Sequence, residues 1–219
     1  MKKWLDILLF PRSLYKKISD KKLTLYIGII FIGLVDLGFP LADNFKSFYT
    51  GDGYSRIVYN IALTIIFTIL LGAIDILFFS IPISDLFKRF KKGNKPADGN
   101  QVYEKGLFIK LIKVYMIAHF LILLPEIISF IIYRNIANTL VSGVTTNNLN
   151  SVLLYIAFFI DVLIPFWFSG AITRGVDVVY EFKPLYKRLV FLVIFVWNYL
   201  LGYALSYMIS NWILKLFRV

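Results

Sequence analysis

The chain has 219 residues, of which 59% are hydrophobic, 18% are aromatic and only 17% are charged. A soluble domain has about 45–50% apolar and about 25% charged residues, and a core of this size cannot hide so much apolar surface. The composition therefore excludes a soluble enzyme and indicates an integral membrane protein.

The formal net charge is +11, from 24 Lys and Arg against 13 Asp and Glu. These basic residues lie between the apolar runs, so we expect them to set orientation and to bind anionic lipids, not nucleic acid. The chain has no Cys and a single His, His119. This excludes disulfides, Cys-ligated metals and a His-rich metal site, and we expect neither a cofactor nor a metal centre.

Residues 1–22 precede the first long apolar run and are rich in lysine. Their own short apolar run, residues 4–10, contains Asp6 and meets Pro11 instead of a small-residue cleavage site, so it does not fit a signal peptide. We predict a cytoplasmic amphipathic helix that lies in the membrane interface. Its lipid-headgroup ligands are expected to be Lys16, Lys17, Lys21 and Lys22.

Five segments contain the roughly 20 apolar residues that a spanning helix needs. They cover residues 23–42, 57–80, 114–133, 152–172 and 189–214, within a transmembrane domain of residues 23–219. Residues 84–113 are predicted to form a cytoplasmic loop. The sequence therefore predicts an all-α fold, a polytopic membrane helical bundle of five transmembrane helices preceded by the interfacial helix.

The basic residues also predict the orientation of the bundle. With five spans, 19 of the 24 Lys and Arg fall on the side of the N-terminus and five fall on the other. Because the basic side of a membrane protein is cytoplasmic, we expect a cytoplasmic N-terminus and an extracytoplasmic C-terminus. The composition, without an organelle signal, favours the bacterial plasma membrane.

Four acidic residues lie within the predicted spans, although ionisable side chains are costly at membrane depth. No Lys or Arg lies deep in a span to pair with them. We expect Asp75 near the inner surface, beside lysines of the following loop. The other three fall at similar depth on three helices, as does one amide on a fourth helix: Asp36, Glu126, Asp161 and Asn198.

Two interpretations of these polar residues remain open. If their helix faces converge, Asp36, Glu126, Asp161 and Asn198, with His119 nearby, line a buried polar cavity for a ligand or a proton. Carboxylates so close together in a low dielectric could not all be ionised. Alternatively, each acid hydrogen-bonds to a backbone carbonyl that a nearby proline has freed, and the acids are structural.

No catalytic constellation is evident. Ser169 and His119 are the only conceivable serine–histidine pair, but residues 166–168 lack the glycine expected ahead of a nucleophilic serine. The surroundings of Asp36 and Asp161 do not match an intramembrane aspartyl protease, and there is no phosphate-binding glycine loop. We therefore expect a protein that is not an enzyme.

The order of several short motifs resembles that of bacterial Yip1-domain proteins. The resemblance is carried by residues 9–18 (LFPRSLYKKI), 106–111 (GLFIKL), Pro125, Trp167, Gly175 and 182–187 (FKPLYK). It covers nearly the whole chain and implies five spans with the N-terminus inside. Eukaryotic relatives engage Rab GTPases through a longer N-terminal region, which this chain lacks, so the resemblance does not imply that role.

The sequence supports two functions. The first is a non-enzymatic Yip1-type membrane protein that binds lipid or a protein partner and organises the membrane, with a homo-oligomer or a second membrane protein as possible partners. The second is a small ion- or proton-coupled transporter that uses the buried acids. Two broken helices that meet at mid-membrane would favour the transporter.

The orientation is directly testable with reporter fusions. A reporter fused after Val219 should behave as extracytoplasmic, and one inserted near Asn94 should behave as cytoplasmic, because the positive-inside rule places the basic loop in the cytoplasm. Paired alkaline phosphatase and fluorescent protein fusions measure this. The reverse pattern would contradict the five-span orientation.

Overall fold

The structure is a computed structural model that describes residues 6, 8–19, 21–50, 53–91, 101–141, 148–182 and 184–217. Apart from short connections, these residues are helical, and no strand occurs among them. In chain order the helices are α1 (Arg12–Lys16), α2 (Leu23–Asp43), α3 (Phe45–Tyr49), α4 (Tyr54–Lys91), α5 (Gln101–Val141), α6 (Asn148–Tyr180), α7 (Pro184–Met208), a π-helical turn (Ile209–Ile213) and α8 (Leu214–Leu216).

Five of these helices are long and apolar enough to cross a membrane: α2, α4, α5, α6, and α7 with the short turns that continue it. Many of their large apolar side chains face outward, including those of Ile65, Phe158 and Phe159. In a membrane these side chains meet lipid tails, so their exposure carries no hydrophobic cost. The predicted all-helical membrane bundle with five spanning helices is confirmed.

The helices are longer than the predicted spans, because apolar length detects only the part of a helix that lies in lipid. The loop predicted for residues 84–113 is helical at both ends, since α4 continues to Lys91 and α5 begins at Gln101. Arg89 donates to Asp85 at 2.9 Å, one helical turn earlier, and supports the extension of α4. Four of the five spanning helices, α2, α4, α5 and α6, continue past an internal proline: Pro40, Pro82, Pro125 and Pro165.

Helices α2 and α4 approach each other closely at two glycines. A Cβ atom at Gly33 would overlap the carbonyl oxygen of Thr68, and a Cβ atom at Gly72 would overlap that of Ile29. Close backbone approach at small residues is a common source of helix association in membranes, where dispersion contacts replace the hydrophobic effect. This crossing brings the middle of α2 against the middle of α4.

The N-terminal segment packs against the end of α6. Tyr15 of α1 is 1% exposed, and its hydroxyl lies 3.2 Å from the carbonyl oxygens of both Leu9 and Ala171. Burial raises the pKa of Tyr15, so the hydroxyl remains a donor at physiological pH. Gly175 of α6 makes room, because a Cβ atom there would press on the Tyr15 ring.

Ion pairs reinforce the same contact. Asp177 of α6 accepts from Arg12 at 3.1 Å and from Lys187 of α7 at 2.9 Å. Phe10 has a φ of 59°, so the backbone turns just ahead of α1. Residues 1–5, 7 and 20 of the predicted interfacial segment lie outside the described residues.

The close crossing of α2 and α4 gives a stability prediction. Gly72→Ala should lower the free energy of unfolding by about 1–3 kcal/mol, because the added methyl group forces the two helices apart. Gly38→Ala is the matched control, since a Cβ atom there meets no described atom within 4 Å. Unfolding in mixed micelles, followed by circular dichroism, measures both. Equal stability of the two variants would contradict the role of the crossing.

Candidate functional site

A cavity of about 390 Å³ lies inside the bundle, between α2, α4, α5, α6 and α7. The α2–α4 crossing positions two of its carboxylates, Asp36 and Asp75, and α5 supplies a histidine and a third carboxylate, His119 and Glu126. Helix α6 contributes an apolar wall that includes Phe168. Among the described residues, no Lys or Arg lines this cavity.

Three side chains from three helices converge at the centre of the site. One ligand atom from each of Asp36, Asp75 and His119 can be chosen so that all three lie within 4.8 Å of one another. Asp75 is only 2% exposed and His119 only 5%. We refer to these three residues as the Asp–Asp–His cluster.

Tyr115 holds Asp75 in place. Its hydroxyl lies 2.8 Å from Asp75 Oδ1 and 2.9 Å from Oδ2, and donates its one proton to this carboxylate. The Tyr115 ring stacks on Phe79 of α4 at 3.9 Å between centroids. Residues Tyr115 and His119 are four apart, so they share one face of α5.

His119 is held by the backbone carbonyl of Tyr115 and by a neighbouring aromatic ring. Its Nδ1 lies 3.0 Å from the carbonyl oxygen of Tyr115, and because a carbonyl only accepts, Nδ1 carries the proton. Nε2 therefore presents a lone pair when the ring is neutral. Nε2 lies 3.6 Å from Asp75 Oδ2, which is beyond hydrogen-bonding distance. The ring packs edge-on against Phe168.

Several oxygen atoms around the cavity lack a hydrogen-bond partner among the described residues. These buried atoms are Asp36 Oδ2, Glu126 Oε2 and Asn198 Oδ1. The amide nitrogen of Asn198 lies 3.3 Å from Ser169 Oγ, so its oxygen remains available. For Asp36 Oδ2 and Glu126 Oε2, no described residue provides the hydrogen-bond partner that the structural interpretation requires.

The residues predicted for this site are not all brought together. Asp36, His119, Glu126 and Asn198 line the cavity, but Asp161 does not. Its side chain is exposed and accepts from Ser129 of α5 at 2.5 Å. The rotation of α6 about its axis brings Asp161 to Ser129, outside the lining of this cavity.

Sequence reasoning misplaced Asp75 and missed Tyr115 as a partner. Asp75 was expected near the inner surface, but α4 continues to Lys91, and the residue lies in the middle of that helix. A usable signal was present in the polar stripe of α4, in which Asn60, Thr68 and Asp75 recur on one face and are all buried. Continuous burial of such a stripe indicates a face that points inward along the whole span.

A second, smaller space adjoins the first. It has a volume of about 160 Å³, and Asp36, Gly202 and Ser206 line both spaces. It extends along α7 to Ser210 in the π-helical turn. Small residues spaced four apart usually pack membrane helices together, but a Cβ atom at Gly202 would meet no described atom within 4 Å.

The four predicted headgroup ligands lie elsewhere. Lys16, Lys17, Lys21 and Lys22 are exposed at the start of the bundle, around the end of α1 and the beginning of α2. These lysines are distant from the Asp–Asp–His cluster, because Asp36 lies 14 residues after Lys22 along α2.

Comparison with known proteins adds no assignment. No family model, no curated protein and no solved structure matches this chain.

The bond between Tyr115 and Asp75 gives a prediction about the site's rigidity. Tyr115→Phe should lower the free energy of unfolding by about 1–3 kcal/mol, because it leaves a buried carboxylate without its donor. Tyr155→Phe is the control, since Tyr155 is 72% exposed. The two variants are compared by unfolding in mixed micelles. A loss no larger than that of the control would show that the bond contributes little.

Proposed function

We propose that this membrane protein binds a cation inside its bundle and acts as a small ion-coupled transporter. The proposal depends on one observation, the convergence of Asp36, Asp75 and His119 in a cavity that no described Lys or Arg lines. Carboxylates in an apolar interior stay ionised only with a counter-charge, because the bilayer does not solvate them. A bound cation supplies that charge.

The shape of the interior supports passage as well as binding. The larger cavity places Glu126 and Asn198 beyond the Asp–Asp–His cluster, and the smaller space continues from Asp36 to Ser210. An ion that moves through a protein needs successive polar ligands that replace its water. The π-helical turn beside the smaller space is a type of helix irregularity that is frequent at functional sites.

The broken helices that form the binding site of many transporters are not seen among the described spanning helices. The spanning helices continue through their prolines, so the site is not built from two broken helices meeting at mid-membrane. The proposal therefore depends on side-chain carboxylates and an imidazole, not on helix termini, to bind the ion.

The second candidate is the non-enzymatic Yip1-type function, in which the chain binds lipid or a protein partner and organises the membrane. Its specific support is the basic surface at the start of the bundle, where Lys16, Lys17, Lys21 and Lys22 are exposed next to the anchored Tyr15. Each basic residue near an anionic bilayer contributes about 1 kcal/mol of attraction. We also propose the predicted orientation and a location in the bacterial plasma membrane. Neither candidate function is enzymatic.

Cation binding is tested by thermal stabilisation of the purified protein. The melting temperature is measured with a panel of chlorides: Na⁺, K⁺, Mg²⁺, Ca²⁺, Mn²⁺, Co²⁺ and Zn²⁺. A ligand at 100 times its Kd adds about 2.7 kcal/mol of stability, so at least one cation should raise the melting temperature. Uptake of that cation into proteoliposomes then tests transport.

Two variants make the result specific to the site. Asp75→Asn should abolish the stabilisation, whereas Asp161→Asn, a spanning aspartate outside the cavity, should keep it. If no cation stabilises the wild-type protein, the proposed function fails and the lipid-binding candidate takes its place. If the cation binds but is not taken up, the protein binds cations but the transport proposal is contradicted.

A further inference from the structure

We infer that Asp36, Asp75 and His119 form a binding site for one divalent transition-metal ion, with Zn²⁺, Co²⁺ and Mn²⁺ as its chemical class. This inference rests on the proposed function, because it names the cation that the cavity takes. It departs from the sequence-based expectation of no metal site, which considered only sites with several His or Cys ligands.

The geometry of the cluster fits a shared ion. Two ligand atoms that each lie about 2.1 Å from one ion are at most about 4.2 Å apart. His119 Nε2 and Asp75 Oδ2 are 3.6 Å apart, and the ligand atoms of all three residues lie within 4.8 Å of each other. A small contraction among the three side chains therefore completes a three-ligand site that keeps further positions open for water or cargo exchange.

The ligand atoms are arranged as though an ion belongs between them. Two atoms that carry lone pairs, Nε2 of His119 and Oδ2 of Asp75, face each other beyond hydrogen-bonding distance. Asp36 Oδ2 is buried and accepts no hydrogen bond from any described residue. A purely structural network would hold Asp36 Oδ2 by a donor, as Tyr115 holds Asp75, because an unpaired buried polar atom costs stability.

The surroundings of the ligands match the usual second layer of a metal site. A metal-bound histidine almost always donates its other ring N–H to a carbonyl or a carboxylate, which orients the ring. His119 does so through Nδ1 and the Tyr115 carbonyl at 3.0 Å. Ligating carboxylates are in turn hydrogen-bonded, and Tyr115 supplies this bond to Asp75 through its hydroxyl.

Charge favours a divalent ion over a monovalent one. Two ionised aspartates and a neutral imidazole carry a total charge of about −2, so a divalent cation makes the cluster neutral. A neutral cluster avoids the cost of leaving net charge in a low-dielectric interior. Glu126, farther along the cavity, carries the one additional carboxylate among the residues that line it.

The nitrogen ligand selects the class of divalent ion. Mg²⁺ and Ca²⁺ are bound almost entirely by oxygen atoms, whereas an imidazole nitrogen suits zinc and other transition metals. The Asp–Asp–His cluster supplies one nitrogen and two carboxylates. Zn²⁺, Co²⁺ and Mn²⁺ all accept this mixture, and the soft thiolate ligands that Cu⁺ prefers are missing because the chain has no Cys.

The test uses the fact that His119 is the only histidine of the chain. The full-length protein is freed of its affinity tag, stripped with a chelator, and placed in nanodiscs of neutral lipid. One equivalent of Zn²⁺ should bind, and in protein labelled with ¹⁵N-histidine it should shift the single Nε2 resonance while Nδ1 stays protonated. Co²⁺ in the same site should give a visible d–d absorption spectrum.

Variants identify the ligands and their support. Asp36→Asn, Asp75→Asn and His119→Gln should each weaken Zn²⁺ binding by more than about 100-fold, since loss of an outer partner alone costs about 10–100-fold. Tyr115→Phe should weaken it within that smaller range. Asp161→Asn should bind Zn²⁺ within twofold of the wild type. Size-exclusion chromatography and circular dichroism verify that each variant is folded. If a ligand variant does not fold, the weaker Zn²⁺ binding of Tyr115→Phe tests the site in its place.

The outcomes separate this inference from the proposed function. If Na⁺, K⁺ or Mg²⁺ stabilises the protein through Asp75 while Zn²⁺ and Co²⁺ leave the His119 resonance unchanged, the metal inference is overturned and the proposed function stands. If no cation of the panel binds, both are overturned. If Zn²⁺ binds equally well to His119→Gln, the metal is held elsewhere and the Asp–Asp–His cluster is not its site.

Discussion

Two aspartates and a histidine meet inside an apolar bundle, where no described Lys or Arg faces them. The low dielectric of a membrane interior makes this arrangement costly unless a donor or a cation compensates each carboxylate. The structure compensates one of them, Asp75, with the Tyr115 hydroxyl, and leaves Asp36 Oδ2 without a hydrogen-bond partner among the described residues. Helix packing therefore leaves one carboxylate uncompensated, and the proposed cation binds there.

The rest of the bundle positions that site. The glycine contact between α2 and α4 lets two backbones approach, and this brings Asp36 and Asp75 to the same level of the interior. The stacking of Tyr115 on Phe79 ties α5 to α4 at that level. A bulkier residue at the glycine crossing would therefore change the distances among the ligand atoms as well as the stability.

The N-terminal segment is a separate part of the same fold. Tyr15 and the ion pairs of Asp177 fasten α1 to α6, so the segment is part of the bundle and not only a surface attachment. The lysines next to it are exposed. They lie apart from the acidic cavity, because Asp36 follows Lys22 by 14 residues along the helix.

The sequence by itself determined the class and the number of spans, because length and apolar content are one-dimensional properties. Four of the five residues that it predicted for the cavity line it: Asp36, His119, Glu126 and Asn198. Only the tertiary structure decided that Asp161 lies outside the cavity and that Asp75 joins His119. Which way a side chain points depends on the rotation of each helix about its axis, and packing at residues such as Gly33 and Gly72 sets that rotation.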